Sequence, residues 1–205
     1  SFKDNHIVAT TKGFTIFNKN MNKWNEGNTE GKYLLAINGK LYALTADGNL
    51  TVYTDNEMLQ SEATYNVGEI SPKGNKAVIA VDEVNGDIYV CKGENGISKI
   101  SNGTASQFYT CPKFKASKDA KNLTEGQDYV KGCANGIYVA GDKVYVACGS
   151  YGLVVLDKAT GKEVCHRKAY NGKSANFVTG DNNNNIFVAY GQSRVQVFQL
   201  TETKK

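Results

Sequence analysis

Residues 143–157 read KVYVACGSYGLVVLD. Val144-Tyr145-Val146-Ala147 is a short run of β-branched and aromatic residues, the composition that suits a pleated strand. A tight turn reaching Gly152 follows, and a second apolar strand runs to Asp157. The same hairpin pattern returns as HIVATTKGFTIFN (6–18), KLYALTADGNLTVYT (40–54), DIYVCKGENGISKIS (87–101) and NIFVAYGQSRVQVFQ (185–199). The turn slot holds Gly13, Gly48, Gly96, Gly152 and Arg194, at spacings of 35, 48, 56 and 42 residues. Sheet units that return every roughly 40–50 residues are the mark of a β-propeller. The expected fold is therefore all-β, a small propeller.

Outward from the hairpins the chain supplies flanking strands. Tyr33–Ile37, Ala77–Val81, Gly136–Ala140 and Asn176–Thr179 precede them and are apolar on both faces, as expected of strands sandwiched between neighbouring sheets. More polar segments follow them, Met21–Asn25, Met58–Tyr65, Gln107–Cys111 and Glu163–Tyr170, and read as outer edge strands. The tally is eighteen strands, where five complete four-stranded blades need twenty. The preferred reading is one domain over 1–205 with five blades, at about 1–31, 32–75, 76–112, 130–173 and 174–205, the first and last incomplete. An open arc closing on another chain and a fragment of a larger ring remain alternatives.

Composition bounds the function classes. Twenty-four basic and twenty acidic residues leave a net charge of +4, dispersed through turns, too little to argue for nucleic acid. No run of about 18 apolar residues exists to make a transmembrane helix. The chain begins Ser1-Phe2-Lys3-Asp4-Asn5, which reads as a chain whose targeting segment has been removed or one cut from something larger. Sequons at Asn49, Asn102 and Asn122 do not decide the compartment in a chain this rich in Asn. Cys91, Cys111, Cys133, Cys148 and Cys165 make no CxxC or zinc-ligand spacing. They read as small apolar fillers of packed sheets, with one disulfide among them as the alternative.

The segment Gly136–Gly161, GIYVAGDKVYVACGSYGLVVLDKATG, resembles the LVIVD-repeat family of β-propellers. The matching pieces are Val139-Ala140-Gly141, Tyr145-Val146-Ala147, Gly152-Leu153 and Val154-Val155-Leu156-Asp157. The third and fifth repeats match less closely: Ser98-Lys99-Ile100-Ser101 lacks the closing Asp, and Arg194 replaces the turn Gly. The resemblance implies a propeller of secreted or cell-surface bacterial type and names no ligand. The Asn-, Lys- and Tyr-rich composition also resembles Bacteroidetes surface lipoproteins, which implies lipid-anchored attachment outside the cytoplasm.

Candidate binding residues come from one long connection and one rim. The connection 112–135, PKFKASKDAKNLTEGQDYVKGCAN, carries Lys113, Lys115, Lys118, Lys121 and Lys131 with Phe114 and Tyr129. A connection beyond about 12–15 residues is usually functional or disordered. It reads as a basic, aromatic-tipped flap for an anionic or carbohydrate ligand, or as a surface insertion with a helical turn at 116–123. The rim formed by the hairpin turns and outer-to-inner connections would gather Lys92, Glu94, Tyr151, Gln192, Arg194, Trp24, Glu26, Tyr170 and Lys173. Trp24 is either a stacking surface for a sugar or a packing residue.

Catalytic motifs are lacking: no GxSxG, HExxH or phosphate-cradling loop is present. Asn38, Asp82, Asn135, Asp142, Asn176 and Asp181 lie at or near inner-strand ends, where a metal-assisted hydrolase or lyase would place its ligands. Asp181 with Asn182–Asn185 is the candidate calcium turn, no cofactor being required. The functional expectation is a non-catalytic, extracytoplasmic propeller recognising a protein or glycan through Lys113, Lys115, Tyr129, Trp24, Tyr151 and Arg194. The alternatives are the metal-assisted enzyme and a scaffold module of a larger assembly, which an unpaired strand near Ile7–Thr10 or Val195–Leu200 would favour.

Overall fold

The computed structural model describes residues 1–72, 77–115, 129–181, 183–191 and 194–199. The first sheet is β1 (His6–Thr10), β2 (Gly13–Phe17) and β3 (Lys23–Glu26). The second is β4 (Gly31–Ile37), β5 (Lys40–Thr45), β6 (Asn49–Tyr53) and β7 (Ser61–Asn66). The third is β8 (Val78–Val81), β9 (Ile88–Cys91), β10 (Ile97–Ser101) and β11 (Thr104–Tyr109). A two-stranded ribbon follows, β12 (Lys113–Lys115) with β13 (Tyr129–Lys131). The fourth sheet is β14 (Gly136–Ala140), β15 (Lys143–Ala147), β16 (Gly152–Asp157) and β17 (Glu163–Lys168). A single 3-10 turn, Tyr170–Gly172, leads to the last sheet, β18 (Ala175–Gly180), β19 (Asn185–Tyr190) and β20 (Arg194–Gln199). In each sheet, strands adjacent in space are adjacent in sequence.

Two compact units are distinguished: residues 1–70, 77–90 and 98–107, and residues 71–72, 91–97 and the described residues from 108 onward.

In the first unit, alternate residues of one strand enter two different cores, as the two-residue strand period requires. From β5, Leu41 and Ala43 join Phe2, Phe14, Ile16 and Met58. From the same strand, Tyr42 and Leu44 join Leu50, Val52, Ile79, Ile88, Val90 and Ile100. A strand that buries both faces must be apolar at every position, which is why KLYALT shows no polar alternation. In the second unit, Tyr145 and Ala147 of β15 pack with Leu153, Val178, Ile186, Val188 and Tyr190, and β14 lies beside β18. Val144 and Val146 of β15 are buried as well.

The structure differs from the sequence expectation in three places. Burial is deep in the second strands β5, β9 and β15, and in β16 as well, whereas β4, β8 and β18 are largely half-buried. The second strand has a hydrogen-bonded neighbour on each edge, whereas the first has one. The outer strand of the third sheet begins at Thr104, not Gln107, because Asn102 (φ 48°) and Gly103 (φ 75°) close a tight turn directly after β10. The connection 112–135 is not all loop, since both of its arms pair as β12 and β13. Its expected helical turn at 116–123, with Lys118 and Lys121, lies outside the described residues, as do Gln192 and Asn182.

Candidate functional site

The ribbon is built from two triplets, Lys113-Phe114-Lys115 and Tyr129-Val130-Lys131, that alternate polar and apolar side chains. The antiparallel register sets Lys113 opposite Lys131, Phe114 opposite Val130 and Lys115 opposite Tyr129. Directly opposed residues share a face. One face therefore carries Lys113, Lys115, Lys131 and Tyr129, and the other carries Phe114 and Val130. Lys113, Lys115 and Tyr129 are exposed, Tyr129 at 60 %. Among the described residues no carboxylate forms an ion pair with these lysines. Lys113 thus faces Lys131 as a like-charge cross-strand pair, an arrangement that costs stability by itself.

The apolar face is docked. The Phe114 ring lies 5.2 Å from that of Tyr151, tilted by 49°. Tyr151 stands in the turn between β15 and β16, closed by the Tyr151 amide to Cys148 carbonyl bond of 3.1 Å. The Tyr151 ring also stacks on His166 of β17, centroids 3.8 Å apart and planes 11° from parallel. His166 Nε2 is 2.7 Å from the Tyr151 carbonyl oxygen. A carbonyl only accepts, so Nε2 is the donor in this contact. The Tyr151 hydroxyl donates to Glu163 Oε1 at 3.2 Å, and the buried Tyr109 hydroxyl donates to Oε2 at 3.4 Å. Burial, and then the Glu163 charge, pushes the Tyr151 phenol up. Burial first, with the nearby Glu163 charge adding to it, pushes the Tyr109 phenol up. Both phenols stay protonated and donating, and His166 is committed to a backbone carbonyl. These contacts hold the Tyr151 ring in place beneath the ribbon.

The remaining candidates lie elsewhere. The Arg194 guanidinium sits 4.4 Å over the Tyr170 ring, a cation–π contact in the second unit. Trp24 is half-buried on β3 opposite Ile16 and packs against the Phe2–Phe14–Ile16 core of the first unit. Of the six named binding residues, the structure unites Lys113, Lys115 and Tyr129 on one face and seats that ribbon on Tyr151. Glu163, Tyr109 and His166 escaped the sequence reading as parts of this assembly. The alternating K-F-K and Y-V-K triplets are the signal from which paired strands could have been read.

Four of the inner-strand Asp and Asn residues are engaged within the fold, Asp181, Asp142 and Asp82 locally and Asn135 across to β18. Asp181 Oδ1 accepts from the amides of Asn183 (2.8 Å) and Asn185 (3.0 Å), and Oδ2 accepts from the Asn185 side chain (2.9 Å). Asp142 pairs with Lys143, and buried Asn135 donates to the Ala175 carbonyl at 3.0 Å. Asp82 is buried and accepts from the Val84 amide at 3.1 Å. Among the described residues no group of three or more His, Cys, Asp or Glu side chains is arranged to hold a metal ion.

No family model and no curated protein sequence matches the chain. Solved structures do. The Cps50 (Swd1) β-propeller domain of Myceliophteria thermophila aligns over 97 % of this chain and 66 % of its own, with a TM-score of 0.65 at 10 % identity. The fold is propeller-like. The computationally designed Ika8 protein aligns over 98 % of this chain and 57 % of its own, with a TM-score of 0.65 at 12 % identity. A chain of a mitotic checkpoint complex aligns over 97 % and 60 %, with a TM-score of 0.67 at 10 % identity. The propeller chain described here spans less than two thirds of the length of each of these. At such identities the likeness concerns the fold alone.

Proposed function

We propose that this chain is a non-catalytic interaction propeller whose basic ribbon docks an acidic segment of a partner protein. The observation that carries this reading is the ribbon's two-sidedness: Phe114 anchors it on Tyr151, and Lys113, Lys115, Lys131 and exposed Tyr129 form its other face. The opposed lysines are a local cost that an anionic partner relieves, and Tyr129 adds an amphipathic contact. Five blades, the first and last three-stranded, are part of the proposal, as is a place outside the cytoplasm, the latter resting on the LVIVD-like repeats. A propeller in a mitotic checkpoint complex is a precedent for propellers in protein assemblies.

The test is binding of a fluorescent poly-glutamate peptide to the wild type and to the Lys113→Glu/Lys115→Glu double variant. Wild-type affinity should fall with added salt, and the double reversal should weaken binding at least about tenfold with an unchanged Tm. Equal affinity for both proteins removes the ribbon from the site. Preference for sulfated or uronic oligosaccharides over the peptide would move the assignment to an anionic glycan.

A scaffold role is a second reading, favoured by two sheet edges that have no partner strand among the described residues. β1 and β20 each end a three-stranded sheet, and Val8, Val195 and Val197 are 48 %, 58 % and 57 % exposed.

A further inference from the structure

All five cysteines fall in the second unit, and two of them touch. Cys148 Sγ lies 3.6 Å from Cys111 Sγ, and both residues are buried, at 0 % and 2 % exposure. Cys111 follows β11 at the foot of the ribbon, and Cys148 opens the turn that carries Tyr151. Gly132 keeps the space around the sulfurs: a Cβ there would stand 2.8 Å from Cys148 Sγ and 3.5 Å from Cys111 Cβ. The ribbon's foot is fixed at the same place by the Gly132 amide donating to the Pro112 carbonyl at 2.9 Å.

We propose that Cys111 and Cys148 are a dithiol built to close into a disulfide, and that the link clamps the basic ribbon to the Tyr151 turn. The sulfurs are already in contact, and closing them to a bond of about 2.05 Å takes side-chain rotation of roughly 1.5 Å. The thiol of Cys148 donates to Cys111 Sγ, and this bond, the Ala134 amide and the Lys131 charge together outweigh burial and lower the Cys111 thiol. Cys148 is pushed up by the same bond and by burial. Cys111, whose sulfur accepts the hydrogen bond from the Cys148 thiol, is assigned as the first nucleophile. Its thiolate attacks a low-molecular-weight disulfide, releasing one thiolate and leaving a mixed disulfide on Cys111. Cys148, on losing its proton, attacks the Cys111 sulfur and releases the second thiolate. Two electrons pass to the small disulfide, and the two protons from the cysteines end on its two released thiols. The pairing itself stands on the sulfur geometry; its consequence for the ribbon rests on the binding role proposed above.

The full chain is treated with glutathione disulfide, both folded and during refolding from denaturant, then alkylated, digested without reduction and mapped by mass spectrometry. The expected product is a peptide pair joined through Cys111 and Cys148 and lighter by two hydrogens, with Cys91, Cys133 and Cys165 alkylated. The oxidised protein should melt roughly 5 °C or more above the reduced one. Cys148→Ser should lose link and shift together, and Cys165→Ser should keep both. Full alkylation of all five sulfurs after both treatments, or a main link to Cys133 or Cys91, would overturn the pairing. Equal amide exchange at 113–115 and 129–131 in the reduced and oxidised forms would overturn the clamp. Poly-glutamate binding is read separately, so loss of the ribbon's binding role is distinguishable from loss of the link.

Discussion

Gly152 shows what the repeated turn slot does. Its φ is +111°, and a Cβ there would lie 2.1 Å from the Arg167 carbonyl oxygen on the neighbouring strand β17. Gly48 repeats the geometry, with φ +82° and a Cβ 2.1 Å from the Gly68 carbonyl. The slot needs glycine twice over, for the backbone angle and because the outer strand's backbone closes on it. Arg194 fills the slot in the last sheet, where among the described residues no fourth strand pairs with β20. Gly152→Ala should cost about 2–4 kcal/mol by thermal or urea denaturation. Gly141→Ala, at φ +57° with nothing within 4 Å of its Cβ, should cost about 1 kcal/mol. Equal costs would mean that strain alone, and not the close approach of β17, selects glycine at residue 152. The repeat of this glycine was plain in the sequence, and the carbonyl that enforces it was not, because Arg167 comes fifteen residues later in the chain.

At the scale of elements, the body of the ribbon β12–β13 meets the Tyr151 turn through one aromatic contact among the described residues. Phe114, which makes it, is half-buried and has Val130 as its cross-strand partner. Isolated two-stranded ribbons are marginal in water. Phe114→Ala should therefore abolish amide protection at 113–115 and 129–131 in hydrogen exchange, while lowering global stability by no more than about 1 kcal/mol. Phe114→Tyr should retain protection. If the alanine variant keeps its protected amides, the Tyr151 contact is not the anchor. Turns between third and fourth strands follow another rule. Asp157 Oδ1 accepts from the Thr160 amide at 2.8 Å and hydroxyl at 2.7 Å. Asp55 accepts from the amides of Glu57, Leu59 and Gln60. Aspartates at these positions fold the connections of the second and fourth sheets locally.

Over the whole molecule, several carboxylates are held below their usual range. Burial alone would raise Asp87, but hydrogen bonds from Lys99, Ser101 and Asn85 and the Lys99 charge overcome it, with Lys99 Nζ 2.7 Å away. Burial alone would likewise raise Asp55, and its turn amides overcome it. The Thr45 hydroxyl lowers Asp47, and the Asn185 side chain lowers Asp181. A depressed folded value means that the folded chain binds fewer protons than the unfolded one. The stabilisation is complete above the unfolded carboxylate range near pH 4 and disappears as the pH falls through the lower folded values. Tm should be level from about pH 7 to 5 and fall steeply from about pH 4 to 2. A Tm unchanged down to about pH 2 would contradict these assignments. Lys99→Met should shrink the acid-dependent loss, since Asp87 then has less reason to stay ionised.

The sequence by itself determined the repeat, the all-β class, the sheet-by-sheet strand order and the turns, because strand period, turn glycines and Asx residues act within a few positions of themselves. Tertiary structure alone decided which lysines share a face with Tyr129, which strands are deeply buried and which sulfurs meet. Lys113 and Lys131 are eighteen residues apart and Cys111 and Cys148 thirty-seven. Nothing in their local sequence encodes a partner; the register of β12 on β13 and the seating of Phe114 on Tyr151 bring them together.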